Sequence, residues 1–357
     1  MKERLKIEPG IYFGLPEEAY HAAEGLSCSG MKHLSVSPLN YWHNNLNPER
    51  EDKHETAAQR FGKAAHCLGL EPERFSSRYA LRLSLDDVPG ALVTTDDMKA
   101  WLERNGLPKT AKKKQELVDR ILSSGIPAVI WDLELQKHAE LNEGKTLLGP
   151  EESKLVQKAA SVLSADPFAK AILTGGVPEV SMFAIDPETG ILLKARMDYV
   201  RPDATIDLKT FSNSRGKPTD RVVYDAIYYE GYHLQCCFYQ KVRELARRQL
   251  ADGLIETHGC VPEAWLKAFT ENDRHGFAFV FIESDEPFDL RIIQLRQNEA
   301  AGADPNVYWL DADMKIEEFT KLYAECREKY GDEPWREYRQ PHVLEDADIP
   351  QLLFAGR

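Results

Sequence analysis

The stretch "MDYVRPDATIDLKT", residues 197–210, sets Asp198 and Asp207 nine positions apart, with Lys209 two beyond the second. Strand side chains alternate between faces, so Asp207 and Lys209 point one way while Ile206 and Leu208 point into a core. On the preceding run, "KARMDYV", Asp198 shares its face with Arg196. If the two runs are neighbouring strands, Asp198, Asp207 and Lys209 converge at one sheet edge. Facing carboxylates repel unless positive charge sits between them. A hard divalent cation with oxygen ligands meets that need, and Mg²⁺ favours one or two carboxylates together with water and phosphate oxygens. The lysine then stands where it can orient water or offset phosphate charge. These residue types describe phosphodiester hydrolysis. A D-x-K triplet on a strand is also common on solvated faces, so its neighbours decide the reading.

Working outward, "EVSMFAIDPETGILLKARMDYVRPDATIDLKTF" reads as three strand-like runs, with a hairpin turn over residues 186–190 and a second break at "RPDA". Upstream, "TAAQRFGKAAHCLGLEPERF" repeats Phe61, Ala65 and Leu68 at helical spacing and carries His66 on or beside that apolar face. Nearer the N-terminus a short extended piece precedes a helix with Ser27 or Ser29 as N-cap and Met31 and Leu34 on one face. Helices are expected across 132–173. Downstream, 219–249 is a long helical region with a break near Gly231, followed by the strands "FAFVFIES" and "FDLRIIQL", a closing amphipathic helix and a polar tail. Strands flanked by helices in this order predict an α/β layer fold with a mixed central sheet.

The 357-residue chain suffices for one large domain or two smaller ones, and 43% hydrophobic residues suit a soluble globular protein. Its formal net charge of -13 argues against coating nucleic acid through overall charge, but a local basic groove is still possible, because partners feel the field of a face. Cys28, Cys67, Cys236, Cys237, Cys260 and Cys326 form no C-x-x-C pair, which fits reduced thiols. The N-terminus has no apolar run of signal-peptide length, and no 18-residue apolar stretch occurs anywhere. The expectation is a cytoplasmic protein that is neither exported nor membrane-spanning.

The order of these motifs is more specific than any one of them. A helix with "FGKAAHCL", then Glu179 in "PEVSMF", then Asp198, then "IDLKT", then a helix with "YHLQCCFY" resembles the PD-(D/E)xK nuclease core in its RecB-like branch. Within that branch the chain is most similar to RecE-type exonucleases (exodeoxyribonuclease VIII-like). The likeness extends to "GIYFGLPEEAYHAAEGLSCSGMKHLSVSPLNYW", "ETGILLKARMDYV", "FVFIESDEPFDLRIIQL" and "LYAECREKYGDEPWREY". It implies a restriction-endonuclease-like core with a mixed central sheet flanked by helices. It implies that Asp198 and Asp207 hold Mg²⁺ (Mn²⁺ substituting), helped by the backbone carbonyl of Leu208, with Lys209 serving the attacking water. His66 would be a ligand or stand just behind one, and Glu179 an additional outer ligand. Without the other motifs, His66 reads as a core histidine bonded to a carbonyl and Glu179 as a charge at a strand start. Gln235 and Tyr239, four apart on one helix face, would steady the lysine, the water or the DNA strand. Two departures from the family pattern stand out: the first acid sits in "RMDY" without a literal PD, and the short Asp198–Asp207 interval demands a tight hairpin.

The resemblance further implies 5′→3′ degradation of linear double-stranded DNA from its ends, mononucleotide products and 3′ single-stranded tails for recombination. It also implies a ring-shaped homo-oligomer and a single-strand annealing partner of the RecT type. It spans nearly the whole chain apart from an insert at 86–130, which divides the sequence into 1–85, 86–130 and 131–357. The insert segment "LERNGLPKTAKKKQELVDRI" resembles a SAP-type helix–loop–helix. Lys109, Lys112, Lys113 and Lys114 stand at the second helix's N-terminus, where free N–H groups and the helix dipole favour phosphate. Read without the resemblance, they are a solvated charge run. Rival readings are a structure-specific endonuclease or repair nuclease module of the same core, and a non-catalytic DNA-binding recombination scaffold.

Overall fold

The computed structural model describes residues 4–51, 54–296 and 306–338; the polar tail beyond 338 lies outside them. The described residues form nine strands: β1 Gly10–Tyr12, β2 Tyr79–Leu81, β3 Thr146–Leu148, β4 Val177–Ile185, β5 Leu192–Val200, β6 Ala204–Phe211, β7 Glu256–His258, β8 Gly276–Glu283 and β9 Leu290–Leu295. Seven of them form one sheet in the order β7-β1-β4-β5-β6-β8-β9, and β2 pairs with β3 in a separate ribbon. The sheet is mixed but mostly antiparallel, with parallel pairing only between β1 and β7 and between β6 and β8. The α/β layer fold expected from the sequence is the one observed.

The β4–β6 meander follows from its turns. Asp186 closes the first, its carboxylate accepting from the Thr189 backbone N–H and hydroxyl while Gly190 N–H donates to the Asp186 carbonyl. At the second, Arg201 N–H donates to the Ala204 carbonyl at 2.8 Å. Helices cover both faces. On one, Cys28–Val36, Tyr232–Ala251 and Val307–Tyr330 bury a core with Val180, Met182, Leu193, Ala195 and Met197. On the other, Ala57–Leu70 and Pro150–Ala165 pack against Ile206, Leu208, Val280 and Ile282.

Local signals set the helix ends. Ser27 caps Cys28–Val36 by accepting from Gly30 N–H, and Thr56 with Gln59 forms a capping box at the start of Ala57–Leu70. Gly231 breaks the long helical region with a left-handed φ of 65°, a conformation that suits glycine. The 86–130 segment forms the helices Thr95–Arg104 and Lys114–Ser123 around a small core of its own, made by Leu92, Met98, Leu102, Leu117, Val118, Ile121 and Ile130. Leu122, apolar and on the second of these helices, is exposed.

Two expectations are corrected. The 132–173 region is not all helix, because β3 interrupts it; the partner of this three-residue strand lies far away in sequence, where local periodicity carries no signal. Nor do Asp198, Asp207 and Lys209 meet at a sheet edge. β6 is an interior strand, hydrogen-bonded on one side to β5 and on the other to β8.

Candidate active site

The acids meet at a split in the middle of the sheet. β5 and β6 pair only at Tyr199–Ile206 and Val200–Thr205, next to the turn, and then diverge. The Asp198 side chain fills the start of the gap, its Oδ2 accepting from Leu208 N–H at 2.9 Å. A carboxylate thus takes the place of a ladder carbonyl, and the strands separate around it.

Strand alternation breaks at the same point. Leu193, Ala195 and Met197 face the layer of Tyr232–Ala251, yet Tyr199 joins the opposite core and Val200 returns. On β4 the pairs Pro178–Tyr199 and Val180–Met197 flank Glu179 and leave it opposite Asp198. Glu179 has φ 55°, unusual for any residue but glycine and costing about 1–3 kcal/mol. Arg196 clamps it, with Nε donating to Glu179 Oε2 at 2.7 Å and Nη1 reaching the Leu15 carbonyl and Ser181 Oγ. Strain of this kind persists where surrounding contacts impose it, and here it sets two carboxylates side by side.

His66 arrives from the other layer. Gly62, His66 and Gly69 are spaced to share one helix face. A Cβ at Gly62 would meet Thr210 Oγ1 at 3.3 Å, and one at Gly69 would meet Leu163 at 3.3 Å and Leu208 at 3.6 Å. The small residues let the helix settle on β6, so His66 Nδ1 lies 3.4 Å from Asp198 Oδ2.

Asp207 is wholly buried. Its Oδ2 accepts from Gln235 Nε2 at 2.6 Å, and its Oδ1 lies 2.5 Å from Lys209 Nζ, in an ion pair outside hydrogen-bond geometry. The Lys209 ammonium also stands 4.9 Å from the Tyr232 ring centroid and 5.9 Å from that of Phe279. Tyr239 follows Gln235 one turn later and lines the same cleft of about 800 Å³. Lys32, Lys63, Arg74 and Arg78 also line it, among acids that include Glu17 and Glu55.

The electrostatics of the site follow from its burial. Burial, reinforced by the Asp198 charge, raises Asp207 to about 6 despite Lys209. Burial likewise raises Asp198, and burial together with Asp198 raises Glu179. Burial and the Lys209 charge lower His66, favouring the neutral imidazole that ligates metals. For Lys209, burial pulls downward but Asp207 and Asp198 outweigh it, giving about 12. Among the described residues, His66, Glu179 and Asp198 can place ligand atoms within 4.8 Å of one another. Two carboxylates that resist ionisation beside a neutral imidazole form a donor set suited to a hard divalent cation.

The chain belongs to the PDDEXK-like family described as a domain of unknown function (DUF3799), which it matches over residues 27–255. Membership supports a nuclease of the PDDEXK-like fold. Among solved structures, the chain is similar to a Eubacterium rectale protein provisionally described as an exonuclease. The two share 15% identity at a TM-score of 0.46, covering 97% of this chain and 100% of that one. No curated protein matches it. Among the described residues, no helix is long and apolar enough to cross a membrane.

Of the residues singled out in the sequence, His66, Glu179, Asp198, Asp207, the Leu208 backbone, Lys209, Gln235 and Tyr239 come together at the split. The insert lysines do not join them. Lys109 pairs with Glu103 and Lys114 with Asp132, both at 2.6 Å, and Lys113 is the N-cap of Lys114–Ser123. Sequence reading passed over Arg196 as the clamp on Glu179. A basic residue two before the first acid, on the same strand face, was the available signal.

Proposed function

We propose that the chain is a Mg²⁺-dependent exodeoxyribonuclease acting on linear double-stranded DNA. The observation that carries this reading is the junction of β4, β5 and β6, which brings three potential metal donors within 4.8 Å of one another beside a buried Asp207–Lys209 pair. His66, Glu179 and Asp198 would hold the cation, with Asp207 and the Leu208 carbonyl adjoining. When bound, the cation would polarise the phosphodiester and acidify water. Asp207 and Asp198 favour the protonated form of Lys209, which would serve as a hydrogen-bond donor and positive charge for the phosphate. Gln235 holds Asp207 in place, and Lys32, Lys63, Arg74 and Arg78 offer phosphate contacts along the cleft. The reaction joins a water oxygen to phosphorus and breaks one P–O ester bond.

The 5′→3′ polarity, the 3′ tails, a ring-shaped homo-oligomer and a RecT-type annealing partner rest on the resemblance. They belong to the same proposal, as does a cytoplasmic site of action. The deciding experiment compares linear duplex labelled at its 5′ end with closed circular DNA, each with Mg²⁺ and with EDTA. Labelled mononucleotide released from linear DNA alone, and only with Mg²⁺, is the expected result. Cutting of the circle would instead indicate an endonuclease. Intact linear DNA in both Mg²⁺ and Mn²⁺, with a salt-dependent gel shift, would indicate a binding scaffold.

The insert is assigned to duplex contact through Lys109, Lys112, Lys113 and Lys114. Replacing all four with glutamine should lower DNA affinity at low salt and flatten its salt dependence, with a slope change of up to about 0.9 per lost phosphate contact. Because Lys109 and Lys114 already have acidic partners, the observed change should fall below that of four free lysines. Cation binding, measured by calorimetry, should not change. Unaltered affinity at low salt would remove the insert from the DNA path.

A further inference from the structure

The helix Tyr232–Ala251 presents Gln235, Tyr239 and Arg243 at successive turns of one face, alongside β6. Gln235 grips Asp207 and Tyr239 lines the cleft. Arg243 is 1% exposed and donates four hydrogen bonds to the turn joining β5 to β6. Nη1 reaches the Ala204 carbonyl at 2.8 Å and Thr205 Oγ1 at 3.0 Å; Nη2 reaches the carbonyls of Arg201 at 2.8 Å and Pro202 at 2.7 Å. Its guanidinium lies 5.0 Å from the Phe269 ring centroid. Among the described residues no carboxylate is bonded to it; Nε is buried without a hydrogen-bond partner, and both Nη atoms donate to backbone and hydroxyl oxygens of one hairpin.

We propose that Arg243 is a positioning residue, pinning the β5–β6 turn so that Asp198 and Asp207 stay paired at the split; this rests on the nuclease reading above. Only two residue pairs join β5 to β6 before they diverge, so the ladder alone holds the two acids weakly in register. The guanidinium supplies the missing rigidity from outside the sheet. The same helix then clasps the hairpin twice, with Arg243 at the turn and Gln235 at the carboxylate two residues beyond Thr205. The planar fork suits this task, since it can serve four acceptors at once where an ammonium has three donors on a flexible stem.

The test uses Arg243→Met, Arg243→Lys and Thr205→Val in the full chain. Arg243→Met should lower kcat by about 10²-fold, as a displacement of about 1 Å does, with KM for linear duplex little changed. Hydrogen–deuterium exchange on metal-free protein supplies a readout independent of activity. Amides of 201–208, Leu208 above all, should exchange faster in the variant, while those of β8 and β9 should not. Thr205→Val removes one of the four contacts and should shift both readouts the same way by less, and it decides the matter if Arg243→Met does not fold. Arg243→Lys should restore neither fully. A lowered Tm with wild-type kcat and unchanged exchange over 201–208 would make Arg243 a scaffold residue and overturn the proposal. Should the wild-type chain fail to cleave DNA at all, the nuclease reading falls, while the exchange measurement still tests the clasp.

Discussion

Replacing Lys209 with alanine should cut hydrolysis of linear duplex by about 10²–10³-fold, the usual cost of losing a preorganised donor at developing charge. The loss should fall on kcat, because the cleft retains Lys32, Lys63, Arg74 and Arg78 for phosphate binding. The substitution also strands Asp207, fully buried and left with Gln235 as its one partner. Breaking a buried pair in this way costs about 3–5 kcal/mol, unless the carboxylate takes up a proton. Folding and chemistry therefore need separating. In a Lys209→Met, Asp207→Asn double variant, the neutral amide and thioether remove both charges, so much of the lost stability should return while activity stays at least as low as in Lys209→Ala. DNA affinity measured in EDTA should match wild type in both variants. A Lys209→Ala protein that cleaves within a few-fold of wild type would exclude the lysine from the chemistry.

The parts of this site that were legible in the sequence are those governed by local rules. Period-two alternation separates Asp207 and Lys209 from Ile206 and Leu208, and the four-residue helical repeat places Gln235 with Tyr239. Turn chemistry at Asp186 and Gly190 fixes the hairpin that delivers Asp198. What could not be read is set by pairing across long separations. β7 has three residues and exists as a strand because β1 offers it an edge. The split between β5 and β6 depends on the Asp198 carboxylate capturing Leu208 N–H, a contact invisible to periodicity. The left-handed backbone at Glu179 is imposed on an ordinary glutamate by the clamp of Arg196 and by its position opposite Asp198. Arg243 sits in "KVRELARRQ", where a run of charges reads as a solvated helix face, and only the approach of the β5–β6 turn makes one of them interior. The same alternation that found Asp207 breaks at Tyr199, directly after Asp198.

Asp198 is expected to link activity, cation affinity and stability, in opposite senses. Without a cation, the Asp198 and Glu179 carboxylates oppose each other in a buried site, and both are held above the ordinary carboxylate range. Asp198→Asn removes one charge yet keeps an oxygen able to accept from Leu208 N–H, so the metal-free variant should melt at or above the wild-type temperature. Mg²⁺ should stabilise the wild type by about 2.7 kcal/mol when free cation exceeds its Kd a hundredfold, and should leave the variant's Tm nearly unmoved. Activity of the variant should be lost at every Mg²⁺ concentration tested. The pH dependence follows from the same charges. Asp207 near 6 and the raised Asp198 and Glu179 bind protons more tightly in the folded chain than in the unfolded one. For Asp207, the resulting stabilisation of metal-free protein is fully present below the unfolded value near 4 and is lost as pH rises through about 6. Cation and proton compete for the carboxylates, so Mg²⁺ affinity measured by calorimetry should weaken as pH falls through 6, while the metal-free Tm moves the other way. An Asp198→Asn protein that loses stability without metal yet still gains Tm from Mg²⁺ would mean that the carboxylate is structural and that the cation binds elsewhere.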